Sequence, residues 1–220
     1  MIKFQGAANT LGLVFFGTMT ASISHEVKNC LAIVNENAGL LEDLLMLAEK
    51  GRPLNFERLK QIAADLHRQA DRANGIVGKL NRFAHSAEHP IVRTTTQELC
   101  EFTISLAERL AMLKKTQLHY QGGKNLEIQI RPFVFFNLLW LILEKQFTLS
   151  DAPQQIQLSV QEEEIHIAFI VQFDNSATLE KLCELVMAEG QPLITVLRAG
   201  IVANTAQHQI RIVLPKIVEE

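Results

Sequence analysis

A chain of 220 residues with 48% hydrophobic content has room for one or two domains, each with a core of its own. Its 21 Lys and Arg stand against 24 Asp and Glu, a formal charge of −3, which excludes the broad basic field that nucleic-acid binding requires. Its 3 cysteines (Cys30, Cys100 and Cys183) lie far apart with no metal-ligand or C-x-x-C spacing, which argues against a disulfide framework and for a reduced, cytoplasmic setting.

The chain opens on a helical pattern that persists over residues 9–50. At about 100° per residue, Phe16, Met19, Ile23, Val27, Cys30, Val34, Ala38, Leu41, Leu45 and Ala48 fall in one sector, the expected buried stripe. His25 points away from that stripe, on the side of Thr18, Ser22, Asn29 and Glu36, so the same arithmetic places it in solvent. The apolar run 11–16 is too short for a signal peptide and is flanked only by Lys3. No stretch reaches the ~20 apolar residues that span a bilayer, so a soluble chain with no membrane partner is expected.

Gly51 and Pro53 break the first pattern. A second runs over residues 55–87, with Leu59, Ile62, Leu66, Ile76, Leu80 and Phe83 at spacings of three and four. Gly75 and Gly78 weaken this helix by ~1 kcal/mol each relative to alanine. The two patterns predict an antiparallel hairpin. A lone hairpin leaves its seam half covered, and a two-fold homodimer that closes a four-helix bundle is the economical remedy.

Residues 88–90 end the pattern and mark the expected boundary between domains 1–90 and 91–220. Beyond it the patterns predict a strand at 91–94, a helix at 97–115 and strands at 117–120 and 126–130. An apolar helix comes next at 132–147, with Pro132 in its first turn and Phe133, Phe135, Phe136 and Trp140 read as core. Strands at 156–160 and 165–173 flank Glu162, Glu163 and Glu164, read as a solvated hairpin tip. Helices at 179–189 and 192–204 and a strand at 209–214 complete the order. The fold class expected is α+β, a helical hairpin followed by an α/β sandwich with helices on one face of a sheet.

The segment Ser24-His25-Glu26-Val27-Lys28-Asn29-Cys30-Leu31 resembles the phospho-accepting helix of sensor histidine kinases. The motif of that family runs Ser-His-Glu, an apolar residue, a basic residue, Asn or Thr, Pro, Leu. The departure is Cys30 in place of proline, which predicts a milder kink. The resemblance implies dimerisation through the hairpin and a second domain in the element order of the family's ATP-binding domain. It also implies a response-regulator receiver domain as partner.

An imidazole suits the acceptor role because its ordinary pKa of ~6.5 leaves it largely unprotonated near neutral pH. His25 is thus the candidate acceptor, with Glu26 placed to accept a hydrogen bond from its Nδ1–H. In the family the residue at the position of Asn29 orients a water that dephosphorylates the partner aspartyl phosphate. Lys28 and Ser22 are the candidate docking residues. The remaining histidines, His67, His85, His89, His119, His166 and His208, show no metal-binding spacing and are read as surface or structural.

The resembling kinase domain also needs an Asn for its metal, an Asp-x-Gly-x-Gly turn for adenine and a Gly-rich lid. Glycine alone allows the positive φ and close approach that phosphates demand. Here Asn137 matches the first Asn of the helical pattern, but Leu141 stands at the metal-holding position. Asp174 matches the adenine-reading Asp without either following glycine, and is read first as a turn residue. Residues 191–200 have no glycine where the lid needs it. The expectation is a degenerate nucleotide site: no ATP, no metal and no cofactor of its own, with magnesium supplied by the receiver. The leading reading is a dimeric, cytoplasmic phosphorelay protein exchanging a phosphoryl group between His25 and a receiver aspartate. Its rivals are a divergent ATP-dependent autokinase, a receiver phosphatase acting through Asn29, and a non-catalytic dimer that sequesters a kinase or receiver.

Overall fold

The computed structural model describes residues 2–88, 91–150, 154–174 and 178–216, with the backbone alone over 2–5 and at 7. Two long helices, α1 (Ile2–Glu49) and α2 (Phe56–Glu88), precede a sandwich of strands and helices. Contacts divide the chain into Thr20–Phe83 and a unit made of Met1–Met19 with Ala84–Glu220. This differs from the boundary expected after residue 90, since both free ends of the hairpin go with the sandwich. Periodicity identifies a helix but does not say which body its apolar face meets.

In the unit Thr20–Phe83, α1 and α2 are joined by a turn at which Gly51 adopts φ 85°. Its N–H donates to the Ala48 carbonyl at 2.9 Å, and that of Arg52 to the Leu47 carbonyl at 3.1 Å, closing the end of α1. Asn55 Oδ1 accepts from the Arg58 N–H at 3.1 Å and caps the start of α2. The core contains Ile23 and Cys30 from α1 and Ile62, Ile76 and Phe83 from α2.

The buried stripe of α1 is rotated from the expected one. Ala38 and Leu45 are exposed, whereas Ser22 is buried and Glu26, Ile33, Asn37 and Leu44 are half-buried. On a helical wheel this moves the covered sector by about 40°. The expected stripe counted apolar residues alone. Polar side chains enter the seam when they are satisfied on the helix itself, as Asn37 is by donating from Nδ2 to the Ile33 carbonyl at 2.9 Å.

In the other unit, β1 (Val92–Thr95) pairs antiparallel with β3 (Glu127–Ile130). A five-stranded sheet has the order β2 (Thr116–Gly123), β4 (Gln154–Glu162), β5 (His166–Phe173), β7 (Gln209–Pro215), β6 (Gly200–Asn204). The pair β2 and β4 is parallel and the others are antiparallel. On β4, Ile156, Leu158 and Val160 are buried while Gln155 and Gln161 are exposed, the alternation of a strand covered on one face, whereas the central β5 is buried throughout residues 167–171. The cover includes α3 (Thr96–Leu113) and α4 (Pro132–Leu149), the latter placing Phe135 4.6 Å from the ring of Phe169 on β5. A capping box between Thr95 and Glu98 starts α3, and Pro132 starts α4. The first turns of α1 join this core: Phe15 is 2% and Met19 0% exposed, and the Phe15 ring lies 5.5 Å from that of Phe133.

The C-terminal elements depart from expectation. The two helices read at 179–189 and 192–204 are one helix, α5 (Leu179–Leu197), which runs through Pro192. Proline normally breaks a helix interior by removing a donor and crowding the preceding turn. Tertiary burial of Gly190, Pro192, Leu193 and Ile194 overrides that preference. The helix ends at Arg198 in the left-handed region, φ 51°, with the Ala199 N–H on the Ile194 carbonyl at 2.9 Å. The segment Gly200–Asn204 is the edge strand β6 and not helix, because β7 offers a ladder that sequence pattern cannot reveal.

The acidic run lies at the solvated tip of the β4–β5 hairpin, as expected, and carries ion pairs besides. Glu162 takes the Lys124 ammonium at 2.6 Å and that of Lys216 at 3.0 Å, and Glu163 pairs with Arg211. Hydrogen bonds from Lys124 and Lys216 hold the Glu162 carboxyl below its usual range. These cations come from segments remote in sequence, so no local reading would have found them.

Candidate functional site

Helix α1 continues without a break through residue 30, where Cys30 is fully buried. A proline at that position would remove a backbone donor within the helix; a cysteine keeps it and fills the seam with a small apolar side chain. One turn before Cys30, His25 is exposed, as the wheel predicts, with Ser24, Lys28 and Asn29 also exposed. Residues three and four apart share a helix face, so Lys28 and Asn29 flank the imidazole on its C-terminal side.

The His25 ring makes no hydrogen bond or ion pair with any described residue. The expected bond to Glu26 is not formed: successive helical side chains diverge by about 100°, and Glu26 is half-buried on the flank of the seam. Ser22 is corrected more firmly. It is 4% exposed, because the rotated seam takes it in, and a hydroxyl so placed offers no docking surface.

Of the residues matched to a nucleotide site, Asn137 is 4% exposed and its Nδ2 has no hydrogen-bond acceptor. Leu141, also 4% exposed, packs on Gly190, where a Cβ would sit 3.0 Å from Leu141 Cδ2 and 3.5 Å from Leu138 Cδ1. Asp174 Oδ2 accepts the Gln155 backbone N–H at 2.5 Å, tying the end of β5 to the start of β4. That bond agrees with its reading as a turn residue. Residues 175–177 and His89 lie outside the described residues.

Among the described residues no group of three or more His, Cys, Asp and Glu is placed to hold a metal. No helix among them is long and apolar enough to cross a membrane. The thiols are poor nucleophile candidates: burial, with the charge of Glu101 beside it, pushes Cys100 up to about 12. Burial, then Glu184, raises Cys183 as well.

No family model matches the sequence, and no curated protein is significantly similar to it. Among solved structures, the nucleotide-free catalytic domain of histidine kinase ThkA is similar at 11% identity and TM-score 0.48, covering 60% of this chain and 100% of that one. The Acinetobacter baumannii histidine kinase AdeS is similar at 11% identity and TM-score 0.45, over 87% of this chain and 98% of that one. ThkA in complex with the response regulator protein TrrA is similar at 13% identity and TM-score 0.46, over 93% of this chain and 63% of that one.

Proposed function

We propose that this chain is a phosphotransfer protein of the two-component type, in which His25 exchanges a phosphoryl group with the aspartate of a response-regulator receiver domain. The observation that carries the reading is the exposed His25 imidazole, on a face shared with Lys28 and Asn29, within the order of residues that resembles a phospho-accepting helix. In the forward step a ring nitrogen attacks the phosphorus of the aspartyl phosphate. The N–P bond forms as the acyl P–O bond breaks, the receiver carboxylate leaves, and the ring gives up its remaining N–H proton to water. Magnesium for the step belongs to the receiver. Lys28 draws in the acidic partner.

A chain without a nucleotide of its own is supported by the side chains at the matched positions. Leu141 offers a metal no oxygen and is occupied by apolar packing. The residues present do not fit a magnesium nucleotide. The sandwich then serves as a docking wall and dimer buttress in a cytoplasmic protein. Homodimerisation is supported by Leu31, Leu40, Leu45, Met46 and Leu47 on α1 and Phe56 and Val77 on α2, all exposed by 37% or more.

The test is a panel of phosphorylated receivers mixed with the purified chain. Acid-labile phosphate should accumulate on His25 and be absent from His25→Ala; a chain that never acquires it from any receiver overturns the reading. Exposure of Asn29 one turn from His25 favours a second reading, a receiver phosphatase. Under it Asn29→Ala abolishes phosphate loss from the receiver, and His25→Ala does not.

A further inference from the structure

A cleft of about 660 Å³ lies within the unit that joins the first turns of α1 to the sandwich. Leu13 and Phe16 of α1, Phe133 and Val134 of α4, and Leu193 and Val196 of α5 are among its walls. Small-molecule sites commonly have volumes of about 300–1,000 Å³ and are chiefly apolar with a few convergent polar groups. Here the polar members of the lining among the described residues are Asn9, Arg131 and Asn137, with no carboxylate among them.

One of these asks for an anionic oxygen. The Arg131 guanidinium, half-buried and permanently cationic, has no hydrogen bond or ion pair with any described residue. A single planar guanidinium against apolar walls matches one carboxylate through paired N–H bonds. A triphosphate, with its several charges, would need more cations or a glycine nest.

We propose that this cleft binds a monocarboxylate with an apolar body, its carboxylate on Arg131 and its chain lying on Leu13, Phe16, Phe133 and Leu193. The site is independent of phosphotransfer at His25.

The test is calorimetric titration of the full chain with decanoate below its micellar concentration, beside decanol and decylammonium as neutral and cationic twins. Decanoate should bind saturably at one site per chain, with decylammonium at least tenfold weaker. Arg131→Met, which keeps the alkyl stem, should weaken decanoate about tenfold. Leu13→Asp should weaken it too, and Leu13 is 74% exposed, so the fold tolerates the change. Equal binding of all three probes, an unchanged affinity in Arg131→Met, or no decanoate binding because a second copy of the chain fills the cleft would each overturn the proposal.

Discussion

Leu141 of α4 and Gly190 of α5 meet so closely that any side chain at 190 must displace the leucine, since a Cβ there would stand 3.0 Å from Leu141 Cδ2. The contact seats α5 on α4. Gly190→Val should therefore destabilise the chain by about 1–3 kcal/mol through overpacking. Leu141→Ala alone should cost about 2–5 kcal/mol. The double variant should be more stable than the sum of the two losses implies, because the smaller residue makes room for the larger. Chemical denaturation of all four proteins measures the coupling; strict additivity would mean the two residues do not press on each other.

Glu144 supplies a pH prediction. Burial, partly offset by the Lys145 ammonium and reinforced by Glu189, raises its carboxyl above the ordinary 4.5. An acid whose folded pKa is raised leaves stability intact below the unfolded value and withdraws it as pH rises through the folded one. Glu144→Gln should thus melt above the parent at neutral pH and level with it at pH 4. A gain that instead grew on acidification would contradict the sign.

Cysteine labelling distinguishes the three thiols. Cys30 is 0% and Cys100 1% exposed, and only Cys183 is partly accessible. Native alkylation at pH 8 followed by mass spectrometry should modify Cys183 first, leaving Cys100 protected by burial and by a pKa pushed up to about 12. Rapid labelling of Cys100 in the folded chain would show that α3 opens far more readily than its packing implies.

Lys28 tests the proposed docking face without altering the His25 ring. Reversing its charge in Lys28→Glu should slow transfer from a phosphorylated receiver by about tenfold at low salt, with the deficit shrinking as ionic strength rises, because a rim charge acts mainly on the encounter rate. A salt-independent defect would point to altered chemistry at His25.

The outward face of His25 was legible because helical periodicity is local and the neighbours Lys28 and Asn29 obey the same rotation. Element order was legible for the same reason, through punctuation at Gly51, Pro53 and Pro132. Ser22 escaped because its burial depends on what the helix meets, not on its own polarity. The ion pairs of Glu162 and Glu163 escaped because Lys124, Lys216 and Arg211 reach them through the sheet.

Local order in the chain was thus enough to specify α1 to α4, most of the strands and the solvent-facing histidine, since each depends on residues within a turn or two of one another. The continuity of α5 through Pro192, the strand at Gly200–Asn204, the capture of the first turns of α1 by the sandwich and the cleft around Arg131 all required segments remote in sequence to meet. Packing energy and ladder hydrogen bonds are gained only on that meeting, and there they outweigh the local preferences of proline, glycine and serine.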